Sequence, residues 1–215
     1  MTPVPFSGRR LGVLISGRGS NLQSIIDAIS QGRLDAHIAI VVSNRDDAAG
    51  LQRASEAGIE TVCLKPLDYT GRDAYDRSLA DTLEARGVDL VCLAGFMRRV
   101  GPPLIAAFPN RMLNIHPSLL PAFPGLDAQR QALDYGVRFT GATVHLVTSE
   151  LDGGPIVLQS VVPVLEDDTA ETLSARILVE EHRIYPEAIQ MLLDGDWSVQ
   201  GRRVVSGASG HRRRA

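Results

Sequence analysis

Cysteine is scarce in this chain. The two present, Cys63 and Cys92, form no C-x-x-C pair and each lies inside a short apolar run. Buried thiols in a reducing compartment account for both, which excludes a disulfide framework or a zinc ribbon as the organising principle. Long hydrophobic stretches are also missing. Runs such as Leu90 to Leu93 and Ile38 to Val42 fall far short of the ~20 apolar residues needed to cross a bilayer. Residues 1–10 lack the apolar segment of a secretory signal. No charge sign dominates either: 22 Lys and Arg against 25 Asp and Glu give a formal net charge of -3. Nucleic-acid binding driven by counterion release is therefore not expected. The basic cluster His211-Arg212-Arg213-Arg214 ends a Gly/Ser-containing tail and reads as a solvated end. What remains is the expectation of a soluble cytoplasmic protein, with no membrane or nucleic-acid partner. Its length of 215 residues suits one domain, and its 44% apolar content suits a large core.

Short apolar runs alternate with helical patterns over most of the chain. Leu11 to Ser16, Ile38 to Ser43, Glu60 to Leu64, Val88 to Ala94 and Arg111 to Ile115 read as strands. Helices are expected over residues 21–31, 48–57 and 72–86, the last two closed by Gly58 and Gly87. This β-α-β-α order predicts an α/β fold: a Rossmann-like, doubly wound, mostly parallel sheet. After residue 140 the pattern changes. Gly141 to Val147 and Pro155 to Leu165 suggest an antiparallel C-terminal hairpin, followed by a long C-terminal helix from Thr169 to Leu193. A capping box of Asp168 with Glu171 is expected at its start, and a kink at Pro186. Trp197 to Val205 reads as a short strand pair. Residues 1–205 are expected to form a single domain and 206–215 a disordered tail.

The turn Ser16-Gly17-Arg18-Gly19-Ser20-Asn21 joins the first strand to the first helix, at the sheet edge where ligands bind. Glycines allow close backbone approach to an anion, and the helix N-terminus adds amides and a positive dipole end. A phosphate is the natural guest; a tight turn with no ligand is the plainer reading. There is no Gly-Lys-Ser/Thr, and Leu22 stands where G-x-G-x-x-G needs its third glycine, so neither common nucleotide motif applies.

His116 falls just past the expected fifth strand, with Asn114 two residues earlier on the same side of an extended backbone. A histidine moves protons near neutral pH, and an asparagine amide offers a donor to an oxyanion. Asp152, in the polar turn Ser149-Glu150-Leu151-Asp152-Gly153-Gly154, is a candidate carboxylate to orient the imidazole. Each has an innocent alternative: Asn114 in a turn, His116 as a satisfied edge histidine, Asp152 starting an Asp-Gly turn. Of the other histidines, His37 and His211 read as surface. His145 either faces the site or is structural, and His182 lies beside Glu180 and Glu181 on the long helix. No H-x-x-x-H or H-E-x-x-H spacing is present, and no metal is expected.

Taken together, Gly17-Arg18-Gly19-Ser20-Asn21, Ala94-Gly95-Phe96-Met97-Arg98, Asn114-Ile115-His116-Pro117-Ser118-Leu119-Leu120-Pro121, Pro124-Gly125 and Leu151-Asp152-Gly153-Gly154-Pro155 resemble the phosphoribosylglycinamide formyltransferases of the folate-dependent formyltransferase superfamily. The likeness runs from about Leu11 to Asp194 with the motifs in order. It implies formyl transfer from the cosubstrate 10-formyltetrahydrofolate to the amino group of glycinamide ribonucleotide, in purine synthesis, by a monomer or homodimer. By position, Asn114, His116 and Asp152 match the family's catalytic residues. Gly19, Ser20, Asn21 and Glu181 match its acceptor site. Arg72, Met97, Arg98, Arg99, Val100, Asn114, Thr148, Ser149, Glu150, Leu151 and Asp152 match its folate-binding positions. Arg18, Ala122 and Asp127 depart from the family's usual asparagine, lysine and histidine.

Rival readings differ in what they leave unexplained. Formyltetrahydrofolate hydrolase shares the Asn, His and Asp motifs but is similar to a longer chain with an amino-terminal regulatory domain. Methionyl-tRNA formyltransferase is longer and carries a basic carboxyl-terminal domain. A non-catalytic phosphate-binding module leaves Asn114, His116 and Asp152 without a purpose, and a pyridine-nucleotide dehydrogenase lacks its third glycine.

Overall fold

The computed structural model describes Phe6 and residues 8–206. Strand and helix alternate through β1 (Arg10–Ile15), α1 (Ser20–Ser30), β2 (His37–Ser43), α2 (Ala49–Glu56), β3 (Thr61–Cys63), α3 (Arg72–Glu84), β4 (Leu90–Leu93), α4 (Pro102–Ala107) and β5 (Met112–His116). There follow α5 (Ala128–Tyr135), the strands β6 (Phe139–Leu146) and β7 (Ile156–Pro163), α6 (Ala170–Leu193), β8 (Trp197–Gln200) and β9 (Arg203–Ser206). These strands form one nine-stranded sheet in the order β3-β2-β1-β4-β5-β6-β7-β9-β8. The first five are parallel, β6 and β7 run antiparallel in turn, and β9 meets β7 at the Ile156–Arg203 pair. The expected doubly wound sheet, antiparallel hairpin and long final helix are all present.

The two-residue period of the central strands divides the core between the faces of the sheet. On β4, Leu90 and Cys92 pack with α1 and α6, beside Leu22, Ile25, Ile177 and Ile189. Val91 and Leu93 pack on the opposite face with Tyr75, Leu79, Leu83, Leu104 and Phe108 of α3, α4 and the turn after it. Coverage on both faces is why these strands read as unbroken apolar runs. Tyr185 fixes α6 to the sheet, its hydroxyl lying 2.9 Å from Leu93 O and 3.1 Å from Leu113 O.

Two local points differ from the sequence reading. The short helices α4 and α5 do not stand out in the sequence. The first opens on Pro102 and Pro103, residues more often read as breakers, although the first helical turn needs no donor there. The second buries only Ala128 and Ala132, so it shows no stripe of large apolar residues. At the start of α6 the capping box is Thr169 with Thr172, one residue later than expected. Asp168 is drawn off by the Leu165 amide, by Thr172 and by both terminal nitrogens of Arg176, at 2.7–2.8 Å. The helix continues through Pro186 as one element. Ser206 closes β9, and the rest of the expected tail, 207–215, lies outside the described residues.

One buried hydroxyl fastens the loop after β5 to the hairpin. Thr143 Oγ1 donates to Ser118 O at 2.6 Å and accepts from Leu120 N at 3.0 Å and Gln159 Nε2 at 2.9 Å. Thr143→Val keeps the shape but leaves a buried carbonyl and amide without partners. It should lower the free energy of urea unfolding by about 2–3 kcal/mol. An unchanged midpoint and slope would show that the loop does not depend on this contact.

Candidate active site

Because β1, β4 and β5 are parallel neighbours, their carboxyl ends open on one edge, where α/β sheets take their ligands. The loops leaving them are joined there: Ser16 N donates to Gly95 O at 3.1 Å, and Met97 N donates to Ser16 Oγ at 2.8 Å. Asn114 and His116 both belong to β5, whose last residue is His116. The antiparallel register sets Asn114 opposite His145 and His116 opposite Thr143. A single strand end thus offers an amide and an imidazole on one face, with a second imidazole brought alongside by β6.

The hydrogen bonds fix how these groups are held. His145 Nδ1 lies 3.0 Å from Leu146 O; a carbonyl only accepts, so this nitrogen carries the proton. Nε2 is then an acceptor, and Asn114 Nδ2 donates to it at 3.2 Å. Burial pushes the His145 pKa down, and this outweighs the Leu146 carbonyl and the Asp152 carboxylate, which favour charge. A neutral His145 therefore orients the Asn114 amide and leaves its second N–H free. His116 Nε2 donates to Phe123 O at 2.8 Å, so Nδ1 is the nitrogen that faces the carboxylate.

Asp152 completes the group. Its Oδ2 lies 3.5 Å from His116 Nδ1, and its Oδ1 lies 3.7 Å from His145 Nε2. The same Oδ2 accepts from Gly125 N at 2.8 Å. The turn that delivers this carboxylate is tight: Asp152 has φ +49°, in the left-handed region that few non-glycine residues occupy. Gly154 follows because a Cβ there would stand 1.8 Å from Leu146 O. The three catalytic candidates are thus brought together. His145, which sequence reasoning left between a site and a structural role, joins them. Its alternation with the apolar Val144 and Leu146 was the available signal.

At the other expected site, Gly19 is the N-cap of α1, with φ 72° and no side-chain cap, and Ser20 and Asn21 begin the helix. The Asn21 side chain turns inward instead of toward the loop surface. Its Nδ2 donates to Glu181 Oε2 at 2.7 Å, and its buried Oδ1 has no partner. Both residues are buried, and burial pushes the Glu181 pKa up, against the Asn21 amide, which favours the charged form.

The residues expected around a folate form a connected rim. Arg72 donates through Nη2 to Arg99 O at 2.6 Å and Val100 O at 2.8 Å. Arg98 stacks over the Tyr75 ring at 4.9 Å. Arg99 Nη2 reaches Ser149 O at 3.2 Å, which ties the 97–100 loop to the segment running through Thr148, Glu150 and Leu151 to Asp152. Met97 and Leu151 stand 68% and 52% exposed on these segments. Among the described residues, no set of three or more His, Cys, Asp and Glu side chains is arranged to hold a metal ion. No helix among them is long and apolar enough to cross a membrane.

Glu181 gives a pH signature. A carboxyl whose pKa is raised by folding contributes stability below its unfolded pKa and loses it as pH rises through the folded pKa. Glu181→Gln should therefore stabilise the protein at pH 8 by about 1 kcal/mol. The gain should shrink as pH falls toward the ordinary carboxylate range. Thermal unfolding at pH 8 and pH 5 reads this; a gain that does not depend on pH would contradict it.

Comparisons with known proteins identify the family. A family model described as formyl transferase matches residues 9–189. The phosphoribosylglycinamide formyltransferase of Escherichia coli is 48% identical over 183 residues, covering 85% of this chain and 86% of that protein. The trifunctional purine biosynthetic protein adenosine-3 of Bos taurus is also 48% identical, over 186 residues. The match covers 86% of this chain but 18% of that much longer protein. The crystal structure of glycinamide ribonucleotide transformylase 1 from Symbiobacterium toebii superposes with a TM-score of 0.92 at 57% identity, covering 93% of this chain and 94% of that one. The chain belongs to the formyl transferase family.

Proposed function

We propose that this chain, with residues 1–205 as one formyltransferase domain, transfers the formyl group of 10-formyltetrahydrofolate to the amino group of glycinamide ribonucleotide. The products are formylglycinamide ribonucleotide and tetrahydrofolate, in de novo purine synthesis. The observation that carries the reading is the meeting of Asn114, His116 and Asp152 at the ligand edge of the sheet. The relatives named for this activity, one of them matched over 86% of its length, support it. We place the enzyme in the cytoplasm, acting on two small molecules as a monomer or homodimer.

The acceptor phosphate sits on the amides of Gly19, Ser20 and Asn21, where an uncapped helix start favours an anion. Glu181 lies behind Asn21 and receives the glycinamide and ribose end. The folate lies along Arg72, Met97, Arg98, Arg99 and Val100 and the Thr148, Ser149, Glu150, Leu151 and Asp152 segment. The exposed Met97 and Leu151 supply apolar contact for its rings.

The amine attacks the formyl carbon, and negative charge develops on the formyl oxygen. Two donors receive it: the second N–H of Asn114, fixed by its bond to His145, and an N–H of protonated His116. Asp152 holds that imidazolium and, through an ordered water, takes the proton of the attacking amine and passes it to the folate nitrogen that departs. Collapse of the tetrahedral adduct expels tetrahydrofolate. Holding both substrates in line supplies much of the rate.

Incubation with 10-formyltetrahydrofolate, with and without glycinamide ribonucleotide, tests the reading. Deformylation should occur only when the amine is present; loss of formyl without it would identify a hydrolase, and no reaction in either case a binding module. His116→Ala and Asp152→Asn should each lower kcat by roughly 10²–10⁴-fold while the fold is kept. Near-normal turnover in either variant contradicts the assignment.

A further inference from the structure

We propose that Arg53 of α2 is a positioning residue for the acceptor's phosphate: it fixes the shape of the 17–21 loop and sets a positive charge beside it. This rests on the acceptor reading above. The helix and the loop are pressed together with no side chain between them. Gly50 N donates to Gly17 O at 3.0 Å. A Cβ on Gly19 would stand 2.6 Å from Gly50 Cα, and one on Gly50 would stand 3.1 Å from Gly19 Cα and 2.6 Å from Ile15 Cδ1. Substitution at either glycine would push the two apart.

Arg53, one turn further along α2, closes the contact from the side. Its Nε donates to Arg18 O at 2.9 Å, inside the loop, and its Nη1 donates to Gln23 Oε1 at 3.4 Å, on the first turn of α1. Gln23 is held ready for this, because its own amide donates to Asp27 Oδ1 at 2.9 Å. One planar group therefore spans the loop and the helix that the loop starts. Lysine, a point charge on a flexible stem, does not reproduce that two-point geometry. Arg53 and Ser20 also line the same polar cavity, of about 370 Å³, together with His182, whose buried Nε2 has no partner. The guanidinium thus shares this cavity with Ser20, one of the residues whose amides would receive the phosphate. It is exposed, so solvent weakens its field, and its effect belongs in substrate affinity and not in the chemical step.

Two measurements test this. In a ¹⁵N-amide titration with ribose 5-phosphate, the Gly19, Ser20 and Asn21 signals should shift in the unsubstituted protein. Arg53→Gln should raise the dissociation constant roughly fivefold or more, with Arg53→Lys between the two. In steady-state kinetics, Arg53→Gln should raise KM for glycinamide ribonucleotide by a similar factor, with kcat and KM for 10-formyltetrahydrofolate unchanged. It should leave kcat/KM unaltered for the dephosphorylated glycinamide riboside. Equal titration curves for the two proteins, amides that do not shift, or equal losses on both acceptors overturn the inference. A protein that binds ribose 5-phosphate through Arg53 yet transfers no formyl group would sink the function reading and leave this one standing.

Discussion

The Asp152 carboxylate is the point on which the end of β5, the loop after it and β6 converge. One oxygen accepts from Gly125 in the loop after β5 and lies near His116 at the end of that strand, while the other faces His145 on β6. A carboxylate this far from water needs such partners, since an unpaired buried charge is costly. The turn that delivers it places a non-glycine residue in the left-handed region and passes Gly154 against a backbone carbonyl with no room for a side chain. Strain of this kind persists only where the surroundings hold it, and here they do so through Gly125, His116 and His145.

The remainder of the site follows from the sheet. Parallel pairing of β1, β4 and β5 brings their loops to a common edge, and the change to antiparallel pairing at β6 lets the hairpin fold back over it. That hairpin supplies His145 beside Asn114. Burial then does electrostatic work: it keeps His145 neutral, so its Nε2 accepts from the Asn114 amide and aims the remaining N–H. Burial at Glu181 acts on the far side, where Asn21 turns inward and leaves the helix start to present backbone amides alone. The rim closes through Arg72 and Arg99, which tie the 97–100 loop to α3 and to the turn of Asp152.

Much of this was legible in the sequence, for physical reasons that differ by residue. The central strands are read correctly because coverage on both faces leaves them wholly apolar. Asn114 and His116 are read as a pair because the two-residue period of a strand guarantees a shared face. Asp152 lay 36 positions beyond His116 in sequence, and no local pattern carries a distance across a hairpin; only the resemblance placed it. His145 was left open because strand alternation says which face a residue takes, not what stands on it. The inward turn of Asn21 was invisible for the same reason, since its partner Glu181 comes from the opposite end of the chain. Arg53 carried no motif at all, and its meaning comes from two glycines that let α2 touch the loop. The helices α4 and α5 were missed because they are short and bury little more than alanine and a leucine.

The central claim is that Asn114, His116 and Asp152 surround the reacting carbon while the helix start at Gly19 receives the phosphate. A crystal structure with glycinamide ribonucleotide and a non-transferable folate analogue tests both halves at once. The account predicts the acceptor amine about 3–3.5 Å from the carbon that stands for the formyl group, with the Asn114 amide and the His116 ring in contact with its oxygen. It also predicts the phosphate on the amides of Gly19, Ser20 and Asn21. A phosphate seated elsewhere, or an amine beyond reach of all three side chains, would contradict it.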